Sequence, residues 1–414
     1  MKKSETANAK LALFQERCKE YFPENYQEFL ALCQEESTSG FFLNLKKGNK
    51  TDLLKEIDFS YQEYELNENC YYHNCDHIGR SIAYELGLIY PQEPSASVPI
   101  SLLNLDNIKI AVDMCAAPGG KSCQLLSKIS DEAHVICNDV SFVRAKSIVN
   151  NCERMGFDPY ICSLETSFLA SKLEESADLV ILDAPCSGEG MIRKDSSILK
   201  DYSLANILAC TKRQKSLLDD AYTIANNDSY ILYCTCTYAK EENEENTAYF
   251  LNKYPDLSLV KEKKLSFLDA SEGQYMALFY KGGKKKTLNF SYLKQSNISL
   301  PIKGNYYTYE YKQRYYVSKK PLYDYNLPML RYGYLAKSEN YEHALFRNNQ
   351  LELDCLKKEL NDEEYRKYIG GQELKTDLED GLILLTYHGY NLGQGKVSKG
   401  RIKNKYPKGL RRLL

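Results

Sequence analysis

The amino-acid sequence reads as an α/β chain: a mostly parallel sheet with helices on both faces, preceded by a helical segment and followed by a basic module. Three observations carry this reading. Between residues 108 and 280, short apolar runs alternate with stretches of helical period, the pattern of parallel strands joined by crossover helices. Before residue 40, apolar residues recur at helical spacing among charges. Beyond residue 280 the charge balance reverses. Residues 281–414 hold 26 Lys+Arg against 14 Asp+Glu, although the whole chain of 414 residues carries a net charge of −2.

Taken in order, residues 5–40 read as two helical stretches. Leu11, Leu13, Phe14, Cys18, Tyr21 and Phe22 form the first stripe, and Tyr26, Phe29, Leu30 and Leu32 the second, with Pro23 between them. Residues 41–45 form a short apolar strand, and residues 46–107 are mixed. Residues 108–114 then predict a strand, 120–129 a helix, 135–140 a strand and 142–155 a helix. The continuous apolar run 179–182 marks a central parallel strand. Residues 204–225 predict a helix, and 230–234 and 274–280 predict strands. Gly282-Gly283-Lys284-Lys285-Lys286 reads as a linker. Ten Tyr crowd residues 306–334, which suggests a β-rich module whose rings either pack a core or stack against planar bases. Three parts follow: 1–95, helical and mixed; 96–282, the α/β domain; 285–414, the basic module.

Composition narrows the function classes. No apolar run approaches the ~20 residues of a membrane helix, so no membrane partner is expected. Met1-Lys2-Lys3-Ser4-Glu5 lacks an apolar signal core, and 14 Cys show no disulfide framework. Free thiols in a reducing cytoplasm are expected. Residues 391–414 carry eight basic residues and no acidic one. An acidic body joined to such a tail suits a polyanionic partner; a merely solubilising tail is the competing account.

Four clusters carry chemistry, each at the end of a predicted strand. Asp113-Met114 is followed by Cys115-Ala116-Ala117-Pro118-Gly119-Gly120-Lys121, a turn of small residues opening a helix. Such a turn lets a ligand approach the backbone and the helix N-terminus. It matches neither GxGxxG nor GxxxxGK[ST], so hydride and phosphoryl transfer lose support. Asn138-Asp139 ends the next strand, 20 residues beyond Gly119, where an acidic side chain binds ribose hydroxyls. Asp139 also suits the N-cap of the following helix. The third cluster is Asp183-Ala184-Pro185-Cys186-Ser187-Gly188-Glu189-Gly190, and the fourth Cys234-Thr235-Cys236-Thr237. After the fourth, Glu241-Glu242-Asn243-Glu244-Glu245 suits the dipole of a helix start. A lone Cys is more often a small buried hydrophobe. Two at the strand ends of one sheet, beside a ligand turn, suit nucleophilic or proton-transfer work on a base.

In this order and spacing, the four clusters resemble the RNA (cytosine-5) methyltransferases of the Nop2/NSUN/Rsm family. Pro91-Gln92-Glu93-Pro94-Ser95-Ala96 resembles the family segment before the catalytic domain, and Glu272-Gly273-Gln274-Tyr275 the segment before the linker. Gly389-Tyr390-Asn391-Leu392-Gly393-Gln394-Gly395-Lys396 and the run 403–409 resemble the C-terminal part of RsmF-type enzymes of small-subunit (16S) rRNA. The resemblance implies a Rossmann-like class I methyltransferase domain and a PUA-like RNA-binding module. It implies that Cys115, Ala116, Ala117, Pro118, Gly119, Gly120 and Lys121 wrap the methionine end of S-adenosylmethionine, and that Asp139 holds its ribose. Glu165 stands where the family usually has an Asp near the adenine. Asp183 is implied at the cytosine and the cofactor, Cys236 as nucleophile and Cys186 in product release. The implied partner is rRNA, naked or within the small subunit, and a monomer is expected. A tRNA substrate and a non-catalytic ribosome-assembly role are the alternatives. A DNA-type enzyme would use Cys186 as nucleophile and leave Cys236 without a role.

Cys70, His73, Cys75 and His77 fall within eight residues. Zinc sites use two well-separated ligand pairs, so no metal is expected.

Overall fold

The computed structural model of the protein describes residues 2–337, 343–348 and 350–412. Helices Lys2–Tyr21 and Tyr26–Leu32 open the chain. Their buried faces, Phe14, Cys18 and Phe29, pack on Tyr202, Tyr238 and Phe267 of the α/β domain. Phe29 stacks on Phe22 at 4.3 Å and on Phe267 at 5.0 Å, and such offset ring pairs add about 0.5–1.5 kcal/mol beyond burial. An antiparallel sheet follows, built from β1 (Gly40–Leu43), β2 (Tyr61–Tyr64), β3 (Asn67–His73) and β4 (Ile89–Pro91) in the order β2-β3-β1-β4. Cys70 is buried in β3, and the His73 ring nitrogen accepts the Cys75 N–H at 3.1 Å.

The central sheet comprises β5 (Ile110–Asp113), β6 (His134–Asn138), β7 (Tyr160–Cys162), β8 (Ala177–Asp183), β9 (Ala225–Thr235), β10 (Leu257–Leu265) and β11 (Gln274–Lys281). Their order is β10-β11-β9-β8-β5-β6-β7. Strands β5 to β9 are parallel, and β11 and β10 complete one side antiparallel. Alternation of side chains along β8 builds both cores. Val180 and Leu182 face helix Leu204–Ile224, while Leu179 and Ile181 face helices Gly120–Lys128 and Phe142–Met155. Each fully buried aliphatic side chain of this kind contributes about 1.5–3 kcal/mol. The chain leaves β5 for β6 on one side and returns through β8 on the other. That reversal opens a crevice beyond the carboxyl ends of β5 and β8.

Strands β12 (Tyr307–Tyr311), β13 (Arg314–Ser318), β14 (Met329–Arg331) and β15 (Tyr334–Lys337) follow. β12, β13 and β15 form a small sheet. β14 instead joins β7 antiparallel as an eighth strand of the central sheet. Tyr309, Tyr316, Tyr325 and Tyr332 pack into the core of the α/β domain, so these rings of the Tyr-rich stretch are core. The last part is a five-stranded sheet of β16 (Leu356–Glu359), β17 (Leu374–Lys375), β18 (Gly381–Tyr387), β19 (Tyr390–Ser398) and β20 (Arg401–Asn404), ordered β16-β18-β19-β20-β17, with helix Asp362–Ile369. Ile383, Leu385, Leu392 and Tyr368 share one core with Phe41, Leu43, Leu86 and Leu88. The N-terminal sheet and the C-terminal module therefore lean on each other, and β14 crosses the expected boundary at 282–285. Among the described residues no helix is long and apolar enough to cross a membrane.

Candidate active site

The crevice is walled by three strand ends. After β5 the chain turns through Cys115 to Gly119, with Gly119 at φ +113°, a conformation that L side chains rarely adopt. Gly119 caps helix Gly120–Lys128 without a side-chain bond, so no capping side chain covers the first helical N–H groups. Three contacts hold the turn. The Ala116 N–H donates to the Asn138 carbonyl at 2.7 Å, Arg144 Nη2 to the Ala117 carbonyl at 2.9 Å, and Asn151 Nδ2 to the Pro118 carbonyl at 3.0 Å. Asn138 ties three strand ends together: its amide nitrogen donates to the carbonyls of Met114 and Leu164, and its oxygen accepts the Leu164 N–H.

Asp139 is 2% exposed at the end of β6. Its Oδ1 accepts the Ser141 N–H at 3.0 Å, and its Oδ2 lies 3.4 Å from Arg144. Ser141, not Asp139, caps helix Phe142–Met155. That removes the N-cap role left open for Asp139 by its position in the sequence. Glu165 stands one strand further out, exposed, at the start of helix Thr166–Lys172, without a capping bond.

At the floor of the crevice, Lys121 Nζ contacts Asp183 Oδ1 at 2.9 Å. Burial alone would lower the Lys121 ammonium, but the Asp183 carboxylate, together with Cys234 and Cys236, outweighs it and holds the group above its ordinary value. Asp113, buried beneath and bonded to Ser122 Oγ at 2.5 Å, is pushed up to about 7 by burial and by the charge of Asp183. Burial also pushes the Cys115 thiol up, with Asp113, Asp183 and Asp139 adding to it.

Strands β8 and β9 run side by side, with Asp183 paired to Cys234. That register carries the two loops beyond them into contact. Cys186 Sγ and Cys236 Sγ are 3.2 Å apart, and the Cys236 N–H points at Cys186 Sγ at 3.4 Å. Contact with the Cys236 thiol, then burial, holds the Cys186 thiol well above its ordinary value. Cys234 is fully buried below.

Both thiol loops rest on acidic and amide groups that the sequence reading did not place here. The sequence places Glu242 in an acidic helix start. In the structure helix Glu244–Lys253 begins two residues later, and Glu242 turns inward. Its Oε2 accepts the Ser187 N–H at 3.0 Å and Gln214 Nε2 at 2.7 Å. Burial pushes it up to about 7. Glu189 accepts from Tyr202 OH at 2.5 Å, Thr237 Oγ1 at 2.9 Å and the Tyr238 N–H at 3.1 Å. Asn243 Nδ2 donates to the Thr237 carbonyl at 2.9 Å. The signal for Glu242 and Asn243 was their closeness to Cys236; their inward direction depends on tertiary packing.

A family model described as 16S rRNA methyltransferase RsmB/F matches residues 100–292. The N-terminal domain of 16S rRNA methyltransferase RsmF matches residues 12–94, and the methyltransferase RsmF PUA domain residues 355–412. The tRNA (cytosine(49)-C(5))-methyltransferase of Pyrococcus abyssi is 33% identical over 246 residues, 57% of this chain and 78% of that protein. The chain belongs to the RsmB/F family of RNA methyltransferases. Ribosomal RNA small subunit methyltransferase F of Vibrio cholerae is 29% identical over 56% of this chain. That match covers 52% of the relative, so the chain spans about half its length. Among solved structures, a methyltransferase homolog protein from Pyrococcus horikoshii aligns with a TM-score of 0.58 at 22% identity, over 65% of this chain and 94% of its own. That likeness is one of fold.

Proposed function

We propose that this RsmB/F-family protein transfers a methyl group from S-adenosylmethionine to carbon 5 of a cytosine in small-subunit rRNA. The observation that carries the reading is the thiol pair Cys186–Cys236, 3.2 Å apart beside the Lys121–Asp183 pair. The crevice fits the cofactor. The small-residue turn leaves the helix start free of any capping side chain, and the carboxylate of Asp139 lies at the next strand end. Residues 115–121 would hold the methionine end, Asp139 the ribose, and Glu165 would lie toward the adenine. When bound, S-adenosylmethionine supplies an electrophilic methyl group.

Carbon 5 of cytosine is a weak nucleophile. The Cys236 thiolate adds to carbon 6, forming a carbon–sulfur bond and delivering the ring electrons to carbon 5. Lys121 lies close enough to Cys236 for opposite charges to attract. Asp183 faces the base and keeps Lys121 in place. After carbon 5 is methylated, its proton passes to a base at the site, the carbon–sulfur bond breaks and Cys236 leaves. Cys186, in contact with Cys236, is placed to serve that elimination. A base must leave its stack to enter the crevice, which favours unpaired RNA. The basic module supplies salt-dependent affinity for the backbone.

The test is incubation with methyl-labelled S-adenosylmethionine and separated small-subunit rRNA, large-subunit rRNA and tRNA. The expected result is 5-methylcytosine in small-subunit rRNA, abolished in Cys236→Ser. Cys186→Ser should accumulate a protein–RNA adduct that survives denaturation. The Pyrococcus abyssi relative favours a second reading, a tRNA substrate, and label confined to tRNA selects it. No label in any RNA, with cofactor binding intact, overturns both.

A further inference from the structure

A cavity of about 580 Å³ opens at the other end of the central sheet, where β5, β6, β8 and β9 begin. The catalytic reading makes no use of it. Strand β8 alone separates it from the thiols by about 20 Å, at ~3.3 Å per residue. Its outer wall comes from the basic module, residues 285–292 and 320–323. The Lys run and part of the Tyr-rich stretch, two motifs for which the catalytic crevice has no use, meet there.

The cavity carries a braced aromatic stack. Tyr323 lies over the His134 ring at 4.4 Å and is fixed by its own N–H, which donates to Tyr160 OH at 2.8 Å. Tyr292 stacks on Tyr323 at 5.2 Å, tilted by 19°, and is itself 59% exposed. Burial, reinforced by Lys320, lowers His134 to about 3, so the stack rests on a neutral ring. The outer ring of Tyr292 faces solvent where a base would stack.

Cations surround the stack. Lys285 and Lys286 pair with Asp178 and Glu175, which pins the linker to the sheet. Lys320 donates to the carbonyls of Asp131 and Ala133. Lys109 lines the cavity, is exposed and pairs with no carboxylate among the described residues. Glu132 also lines the cavity, yet the balance stays positive.

We propose that this cavity is a second RNA site, taking an unpaired nucleotide of the substrate RNA with its base on Tyr292 and a flanking phosphate at Lys109. The inference rests on RNA being the substrate. It adds a contact, about one strand length from the reacting base, that restricts which unpaired segments reach the crevice in register.

The test is fluorescence anisotropy of a labelled single-stranded RNA oligonucleotide with the full chain, without cofactor. Tyr292→Ala weakens binding about five- to tenfold, the low end of a lost stacking contact. Tyr292→Phe retains wild-type affinity because it keeps the ring. Lys109→Glu weakens binding and lowers the salt dependence by about one phosphate contact. Thermal melts check that each variant is folded. Unchanged affinity in folded Tyr292→Ala and Lys109→Glu overturns the proposal. So does displacement of the RNA by uridine monophosphate at equal concentration, which would mark a site for free nucleotides. Methyl transfer is measured separately. Its failure with RNA binding still sensitive to Tyr292 sinks the catalytic reading alone, and the converse sinks the second site alone.

Discussion

Glu242 holds a thiol loop in place with one carboxylate oxygen, which accepts from Ser187 and Gln214. Burial places its titration at about 7, against an ordinary value of 4.5. Asp113 rises similarly from 3.8 to about 7. Both acids bind their proton more tightly folded than unfolded. Between about pH 4.5 and 7 the folded state therefore holds more protons, and stability falls as pH rises through that window. Above it the penalty is complete. Melting temperatures between about pH 5 and 8 should show this decline, and Glu242→Gln should flatten part of it. A slope identical to wild type would contradict the burial of Glu242 as a titrating acid. Residues of this kind are where sequence reading stopped. Cys115, Asp139, Asp183, Cys186 and Cys236 were legible because each sits at a strand end in a pattern of small residues. Glu242 and Glu189 reach their partners through the packing of segments 13 to 55 positions apart.

One step up, the loop after β8 and the loop before β11 cross through two glycines. A Cβ on Gly190 would lie 2.5 Å from Gly273 Cα, and one on Gly273 would lie 2.4 Å from Gly190 Cα. The Gly273 N–H donates to the Gly190 carbonyl at 2.9 Å, so the contact is backbone on backbone. Gly273→Ala should destabilise the protein by about 1–3 kcal/mol, read from denaturant unfolding, and displace the Cys186 loop enough to cut methyl transfer. Beside the crossing, Arg193 and Glu272 form a pair at 2.7 Å, both side chains at most 4% exposed. Removing one partner leaves a buried charge, so Arg193→Ala should cost about 3–5 kcal/mol, whereas replacing both by apolar residues should cost less. A double-mutant cycle separates the two cases. Four of the five parallel strands were legible from the apolar runs within or around them; β7, only three residues long, was not read. β10 was not: Lys261, Glu262, Lys263 and Lys264 give a strand paired on one side the look of a loop. Residues 46–107 hid β2, β3 and β4 because strands of three to seven residues are too short for a period to emerge.

Taken as one body, the protein braces its central sheet with segments from both ends of the chain. The N-terminal helices back the thiol loops, and the sheet of β1 to β4 shares its core with the C-terminal module. Charge is divided the opposite way, with the acidic residues concentrated before residue 281 and the basic excess after it. RNA affinity should therefore fall steeply with salt, and the slope should shrink when basic residues of the tail are removed. The short strand β14 has a consequence for how the protein is handled. Its three residues cover Ile161 and Cys162 of β7, the last strand of the central sheet on that side. Without them β7 becomes a bare edge of open backbone N–H and C=O groups, flanked by the apolar surface that Tyr309, Tyr316 and Tyr332 now cover. A chain cut at residue 284 keeps every residue of the crevice. It should nevertheless self-associate through that edge on size-exclusion chromatography, and a monodisperse monomer would show that β14 protects nothing.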